Sequence, residues 1–238
     1  MKILLVSKFY PPHIGGIENV VKGLAEGLNE KAELEVLVCQ KKGAAVTDIT
    51  DGGVLVNRCD SFGTFLSMPL SLSFINEFKL KSKDADIIHI HLPFPLADIA
   101  CLLAKPKGKI IISWHSDIVR QKKLMFFYRP IMDRLLYRAD LIVTATQRHI
   151  TSSEYLRPYK SKCHVIPYGL DIPTYEDMDE FMPVLEDNLW LKKNKKALFV
   201  GRLVYYKGLN VLIESFKNVR NCELFIAGTG KLKNELER

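Results

Sequence analysis

The chain has 238 residues, of which 34 are basic and 27 acidic, so its formal net charge at pH 7 is +7. Hydrophobic residues make up 47% and charged residues 26%, a composition that excludes disordered and collagen-like proteins. No apolar run approaches the roughly 18 residues that a membrane-spanning helix needs. The length favours one large or two modest domains.

Strand and helix patterns alternate through the first 172 residues. Short apolar runs predict buried parallel strands over 2–7, 34–39, 54–58, 86–91, 109–114, 141–144 and 164–166. Apolar residues at helical spacing predict helices over 17–28, 70–81, 96–104 and 119–138, the last broken or kinked before Pro130. This alternation predicts a doubly wound, Rossmann-like α/β domain over 1–172 with a mainly parallel sheet.

The pattern breaks after residue 172 and then restarts. Residues 173–195 are acidic and contain prolines, which predicts a linker. Strands over 197–200 and 223–227, a helix over 208–219 and a helix start at Lys231 then predict a second α/β domain over 196–238. Two strands and one complete helix are about half of a nucleotide-binding fold, so we expect this domain to be incomplete in the present chain.

The five cysteines are odd in number, lie far apart and include no CxxC pair. This pattern favours free thiols in a reducing cytosol over a disulfide or zinc framework, so we expect a cytoplasmic protein. The cysteines are Cys39, Cys59, Cys101, Cys163 and Cys222.

Two adjacent glycines, Gly15 and Gly16, follow the first predicted strand and open the first predicted helix. Glycine lets a ligand approach the backbone, and a helix N-terminus offers free N–H groups, so the pair suits a phosphate. The alternative is a tight turn without a ligand. This turn has no GxGxxG pattern, which argues against a nicotinamide-dependent oxidoreductase.

Arg202 and Lys207 lie in the loop after strand 197–200, at the strand end where open α/β sheets bind ligands. Arg202 can grip a phosphate with two N–H groups, and Lys207 adds a point charge near a helix start. The alternative is an ordinary solvated loop. Residues 228–231 lack the full GxxxxGK[ST] pattern of a P-loop and predict another glycine turn, facing a cleft between the domains.

Three histidines stand out. His89 and His91 are two residues apart on a predicted strand and therefore share one face of it. His115 follows the next strand at its carboxyl end, where catalytic groups of α/β proteins collect. A metal site is an alternative for this set, although carboxylates or cysteines at tighter spacing normally complete such a site.

The segment 119–138 carries six basic residues against one acid, with aromatic and apolar residues interleaved. Such a sequence suits an anionic membrane surface. It also suits an ordinary surface helix with a buried aromatic face. Nucleic acid is not expected as a partner, because no recognised nucleic-acid module accompanies the charge.

Five segments together resemble the family 4, group 1 glycosyltransferases, a retaining family with two facing Rossmann-like domains (the GT-B fold). They occur in the family's order from one end of the chain to the other. The segments are FYPPHIGGIE at 9–18, DIIHIH at 86–91, WHSD at 114–117, IPYGLD at 166–171, and VGRL with KG at 200–203 and 207–208.

The resemblance implies a sugar donor, a nucleotide-diphosphate sugar such as GDP-mannose or a UDP-sugar, in the cleft between the domains. It assigns the donor phosphates to the glycine turn at Gly16 and to Arg202 and Lys207, and it places His115 near the transferred sugar. It implies no metal or other cofactor. It implies an acceptor that is a glycan or lipid-linked, as in cell-surface polysaccharide or lipopolysaccharide biosynthesis, and a protein peripheral to the inner face of the plasma membrane.

One element of the family is missing. The family has a Glu-x7-Glu element beyond the position of Gly228, and Glu235 and Glu237 do not have its spacing. We therefore expect a GT-B-like chain truncated in its C-terminal, donor-binding domain. Weak or absent transfer by the isolated chain is expected, and the alternative function is an inactive remnant or binding protein that keeps the acceptor domain.

Overall fold

The computed structural model describes residues 1–65, 68–118, 122–169 and 195–237. The chain divides into two compact units, Met1–Leu170 and Asp171–Arg238. The predicted linker lies outside the described residues except for Lys195, which begins a strand. The predicted boundary at residue 172 also lies outside them and stays a prediction.

The first unit is built on an eight-stranded sheet. Its strands are β1 (Lys2–Val6), β2 (Glu33–Cys39), β3 (Val46–Ile49), β4 (Leu55–Cys59), β7 (Ile87–Leu92), β8 (Lys109–Trp114), β9 (Leu141–Thr144) and β10 (Cys163–Val165). The strand order is β10-β9-β8-β7-β1-β2-β4-β3. All neighbours are parallel except the edge pair β3–β4. The expected doubly wound α/β sheet is confirmed.

Helices of this unit cover both faces of the sheet. They are α1 (Gly16–Asn29), α2 (Ser73–Lys81), α3 (Pro95–Ala104), α4 (Lys122–Arg138) and the short α5 (Gln147–Ser152). Alternate residues of β1 belong to two separate cores: Leu4 and Val6 to one, Ile3 and Leu5 to the other. Because strand side chains alternate between faces, a strand buried on both faces must be apolar throughout, as β1 is.

Three details of this unit differ from the sequence-based expectations. Two features were not predicted, because neither has a long apolar run. They are the antiparallel edge strand β3 and an antiparallel pair of two-residue strands, β5 (Thr64–Phe65) and β6 (Met68–Pro69). A break before Pro130 is ruled out, since α4 continues through this residue, whereas the alternative of a kink there stays a prediction. A proline removes the hydrogen bond to the carbonyl four residues earlier, here on exposed Phe126, where water can hydrate it.

The second unit has two parallel strands, β11 (Lys195–Val200) and β12 (Cys222–Ala227). Between them lies α6 (Leu209–Phe216), and a four-residue helix α7 (Lys233–Leu236) follows β12. The predicted strand–helix–strand order is confirmed, although α6 ends three residues earlier than predicted.

Asp98 on α3 is a buried carboxyl group between two helices. Its Oδ2 accepts a hydrogen bond from the Tyr128 hydroxyl on α4, and its Oδ1 has no partner within the described part of the chain. Burial, opposed by the Tyr128 hydrogen bond, raises the pKa of Asp98 to about 7. The ionised form of this carboxyl therefore opposes folding.

Replacing this carboxyl with an amide (Asp98→Asn) is expected to flatten the pH dependence of stability. The folded pKa of about 7 exceeds the ordinary 3.8, so the folded state binds more protons between these values and loses stability as pH rises through them. At pH 7.5 the amide should add on the order of 2 to 4 kcal/mol, measured by urea unfolding at pH 4.5 and 7.5. Exposed Asp84→Asn is the control, and an equal pH slope in both variants would contradict the assignment.

Candidate active site

The carboxyl ends of β1, β7 and β8 lie side by side at one edge of the sheet, because these strands are adjacent and parallel. The turn with Gly15 and Gly16 follows β1, and His115 follows β8 two strands away, a separation of about 10 Å at the usual strand spacing. The structure thus brings three of the predicted site residues to the same edge of one unit.

Gly15 and Gly16 form the N-terminus of α1. Gly15 precedes the helix with an extended backbone, and no side chain caps the first turn. Gly16 is exposed, and a Cβ placed on it would meet nothing within 4 Å. Nothing inside the protein therefore requires glycine at position 16, whereas an incoming ligand at the first turn would.

His115 contacts two side chains through its two ring nitrogens. Its Nε2 lies 2.8 Å from Nδ1 of His91 on β7, and its Nδ1 lies 2.6 Å from the Tyr168 hydroxyl. The His91 and His115 rings meet end to end through this contact and are nearly parallel, with centroids 5.1 Å apart and an interplanar angle of 19°. The centroids of His115 and Tyr168 are 5.4 Å apart. His89 stacks on His91 with centroids 4.7 Å apart, and its Nε2 lies 2.8 Å from the Ser113 hydroxyl.

The three histidines are neutral at pH 7. Burial, with a smaller contribution from His149, lowers the pKa of His115 to about 4. Burial and the neighbouring His115 lower the pKa of His89 to about 4, and burial holds that of His91 well below its usual value. Each ring therefore has one N–H and one bare nitrogen, so it can donate and accept one hydrogen bond.

Asp117, the carboxylate nearest to His115 in sequence, holds the loop after β8. Its Oδ1 accepts hydrogen bonds from the Trp114 indole at 2.9 Å and from the Ser153 hydroxyl at 2.8 Å. Trp114 is 1% exposed, so the carboxylate ties the loop to the core. This oxygen is occupied by structural contacts.

Arg202 and Lys207 lie in the second unit, in the loop that follows β11. Both side chains are exposed, and the Lys207 ammonium lies 5.8 Å from the centre of the Tyr206 ring. The loop ends at Gly208, whose φ of +71° leads into α6. As predicted, the loop leaves the carboxyl end of a parallel strand, which is the edge where α/β sheets bind ligands.

Two glycines after β12 support this loop. A Cβ on Gly228 would lie 1.8 Å from the Gly201 carbonyl oxygen, and one on Gly230 would lie 2.3 Å from the Leu203 carbonyl oxygen. The Leu203 amide donates to the Thr229 carbonyl at 2.8 Å. The segment 228–230 is therefore a glycine turn that lets two backbones touch, a role that the sequence did not reveal.

A cleft of about 490 Å³ opens beside the glycine turn of the first unit. Aromatic rings of Phe9, Tyr10 and His13 line it, together with Arg58. The Arg58 guanidinium donates to both carboxylate oxygens of Asp48, at 2.8 and 3.2 Å, and to the Pro11 carbonyl at 2.7 Å. Phe9 and Tyr10 are only 7% and 2% exposed, so His13 is the most accessible of the three rings, next to a fixed polar wall at Arg58 and Asp48.

In the described ranges, no group of three His, Cys, Asp or Glu side chains is placed to hold a metal ion. Nε2 of His89 is in contact with the Ser113 hydroxyl, and Nδ1 of His91 is in contact with Nε2 of His115. The described helices include none that is long and apolar enough to cross a membrane. All five cysteines lie in described residues and are free thiols.

Two α/β units, each with a loop at the carboxyl end of a parallel strand, define the class of Rossmann-like proteins. Residues 14–173 match the family model described as Glycosyltransferase Family 4, and residues 184–238 match the model described as Glycosyl transferases group 1. The chain belongs to glycosyltransferase family 4.

The curated relatives include two bacterial enzymes named as a mannosyltransferase and a rhamnosyltransferase. The chain is 33% identical to the O-antigen chain mannosyltransferase C of Escherichia coli, over the whole chain and 63% of the relative. It is 31% identical to the D-rhamnosyltransferase WbpZ of Pseudomonas aeruginosa, over 99% of the chain and 61% of the relative. The chain therefore spans somewhat over three fifths of the length of these relatives.

Solved glycosyltransferase structures share the fold. HepE of Anabaena in complex with UDP aligns with a TM-score of 0.66 and 17% identity, over 100% of this chain and 63% of that one. Sucrose-phosphate synthase from Thermosynechococcus elongatus aligns with a TM-score of 0.70 and 15% identity, over 94% and 61%. The expected GT-B-like fold class is confirmed as a partial match to these structures.

Proposed function

We propose that the chain is part of a retaining glycosyltransferase that moves a sugar from a nucleotide-diphosphate sugar, GDP-mannose or a UDP-sugar, to a glycan or lipid-linked acceptor. The observation that carries the proposal is His115 at the same carboxyl edge as the open N-terminus of α1. Family membership and the glycan-building names of two relatives support it. The product class is a cell-surface polysaccharide or lipopolysaccharide.

The donor phosphates are assigned to the Gly15–Gly16 turn, Arg202 and Lys207. Breaking a glycosyl–phosphate bond leaves a diphosphate whose growing negative charge needs stabilisation. Backbone N–H groups, a guanidinium and an ammonium supply it, and they act most strongly in the transition state. These groups need no metal, so we expect transfer to persist in the presence of a chelator.

Retention is assigned to attack on the same face of the sugar, with the leaving phosphate helping to deprotonate the acceptor. A double displacement needs a carboxylate nucleophile close to the sugar. Asp117 is the carboxylate nearest to His115 in sequence, and the two hydrogen bonds that its Oδ1 accepts hold it in the loop. This occupation supports the single-displacement route.

The acceptor is assigned to the cleft lined by Phe9, Tyr10 and His13. A sugar ring can pack its C–H face against the exposed part of the His13 ring, and its hydroxyls can bond the polar wall at Arg58 and Asp48. The cleft lies beside the glycine turn, so an acceptor there is near the assigned donor phosphates. The structural neighbours whose titles name UDP and UDP-glucose support a nucleotide-sugar donor.

A panel of nucleotide sugars tests the enzyme proposal. Binding is measured by calorimetry on the chain as given, and transfer or hydrolysis is measured on the chain extended to the length of its relatives. We expect GDP-mannose or a UDP-sugar to be turned over by the extended chain. Binding without turnover would favour the alternative of a binding protein or inactive remnant. If no nucleotide sugar is bound and none is turned over, the donor assignment is refuted.

Adding a methyl group at the glycine turn (Gly16→Ala) is expected to weaken donor binding at least tenfold without lowering Tm. A Cβ at this position meets nothing in the free protein but occupies the space that a phosphate needs against the helix N–H groups. Gly27→Ala, in the same helix and also without neighbours, is the matched control. Equal donor affinity in both variants would remove the phosphate from this turn.

We also propose that α4 lies on an anionic membrane surface at the cytoplasmic side, where a lipid-linked acceptor would be found. Phe126 and Phe127 are 79% and 74% exposed, with ring centroids 5.3 Å apart, and Arg134, about two turns further along the helix, is also exposed. Not all of the basic residues are free, because Arg138 donates to the Pro106 carbonyl. Arg129 is paired with Asp133 and Glu154, so the exposed aromatic pair and the exposed Arg134 are the observations that support the interfacial role.

Replacing the aromatic pair (Phe126→Ser with Phe127→Ser) is expected to weaken binding to vesicles containing anionic lipid by about tenfold or more. Each phenylalanine contributes up to about 1.5–3 kcal/mol when fully buried, and an interfacial ring gains part of this. Sedimentation with anionic and with neutral vesicles measures it. Phe62→Ser with Phe65→Ser removes two exposed rings elsewhere and serves as the control. An equal loss in both pairs would refute a specific role for α4.

A further inference from the structure

His91 is a buried polar side chain with one polar contact. It is 2% exposed, and its Nδ1 faces Nε2 of His115 at 2.8 Å. Its other nitrogen, Nε2, has no hydrogen-bond partner within the described part of the chain. A buried group left half unsatisfied is costly, and an apolar residue would fill this position at lower cost. The contact with His115 is therefore the feature that requires histidine here.

The contact gives His115 two unequal ends. At Nε2 the partner is a histidine on a central strand that is 2% exposed and packs against the ring of His89. At Nδ1 the partner is Tyr168, which is 41% exposed and lies outside the sheet, beyond β10. A ligand can displace the half-exposed phenol without unpacking the core, whereas displacing the buried imidazole requires opening it. Nδ1 is thus the end that a substrate can reach.

We propose that His91 is the positioning residue of His115: it holds Nε2, sets which ring nitrogen of His115 carries the proton, and leaves Nδ1 to face the substrate. A hydrogen bond between the two facing nitrogens, 2.8 Å apart, needs one N–H and one bare nitrogen, so the position of the proton on His115 is tied to its position on His91. The partners at both ring nitrogens, His91 at Nε2 and Tyr168 at Nδ1, also oppose rotation of the His115 ring. Both effects favour an imidazole that is oriented before the substrate arrives.

Nitrogen NMR of the imidazole side chains tests whether His91 sets the tautomer of His115. It uses the 238-residue chain and needs no enzymatic activity. In the wild type we expect His115 to show one tautomer, with distinct shifts for its protonated and bare nitrogens. In His91→Phe, which keeps a ring but loses the hydrogen bond, we expect averaged shifts from two tautomers. An unchanged single tautomer in this variant would overturn the proposal, whether or not the chain is a glycosyltransferase.

Kinetics test the catalytic part, which rests on the proposed function, in the chain extended to the length of its relatives. We expect His91→Phe to lower kcat by on the order of 10- to 100-fold, with KM for the donor changed less than threefold. His91→Asn, whose amide can reach the position of Nδ1, should recover part of the loss. His89→Gln is the matched control, because His89 lies on the same strand face and bonds Ser113 instead.

The outcomes are distinguishable. Equal losses in His89→Gln and His91→Phe, or no rescue by His91→Asn, would assign His91 a merely structural role and overturn the proposal. If the wild-type extended chain transfers no sugar, the proposed function fails, while the NMR result still decides whether His91 sets the tautomer of His115.

Discussion

Replacing His115 with alanine is expected to lower kcat by on the order of 10²- to 10⁴-fold while donor affinity changes only a few-fold. The imidazole is oriented from behind by His91 and is neutral at pH 7, so its Nδ1 can bond the transferred sugar without a change of charge. Such a contact contributes mainly as the bond breaks, and its loss therefore appears in kcat.

The measurement uses the chain extended to the length of its relatives, with donor affinity determined separately by calorimetry. His164→Ala is the matched control, because His164 is an exposed histidine on β10 of the same unit. An unchanged kcat for His115→Ala would remove this residue from the chemistry. A loss confined to donor affinity would instead make it a binding residue.

Replacing Arg202 with alanine is expected to lower kcat/KM by on the order of 10²- to 10³-fold, since one charge-stabilising donor to the leaving diphosphate is lost. Arg202→Lys should recover only part of this, because an ammonium cannot make the two parallel hydrogen bonds of a guanidinium. The exposed side chain and the firmly supported loop indicate that stability should be nearly unchanged.

Arg220→Ala is the control for Arg202, since Arg220 is also an exposed arginine of the second unit. Equal activity of the Arg202→Ala and wild-type proteins would show that the diphosphate is bound elsewhere. Full recovery by lysine would show that charge alone matters and that the fork geometry does not.

Most of the sheet could be predicted from sequence because its strands are buried on both faces. A run such as residues 3–6 is apolar at every position, and each of its residues is at most 5% exposed. Strand β3 was missed for the opposite reason: it pairs at the edge, three of its four residues are exposed, and its sequence VTDI has no continuous apolar signal.

The positions of the site residues were predictable, but their contacts were not. The sequence placed Gly16 and His115 at strand ends, and parallel pairing brings such ends to one edge. The spacing of His89 and His91 indicated that they share a face of the strand. The contact of His91 with His115 depends in addition on the strand register, which pairs His91 with Ser113, two residues before His115. Tyr168 belonged to a family motif, yet nothing local indicated that its hydroxyl bonds His115.

The glycine turn after β12 shapes the Arg202 loop through main-chain contacts, in which Gly228 and Gly230 supply no side chains. The backbone path of the loop therefore depends on residues 228–230, whereas its charged side chains are those of Arg202 and Lys207. Substitution of the exposed residue 202 or 207 can change the charge that the loop presents while the backbone of the loop stays the same. A methyl group at Gly228 or Gly230 would distort the loop without changing any charged group. We therefore expect substitutions to be tolerated by the fold at the exposed positions 202 and 207 and not at these two glycines.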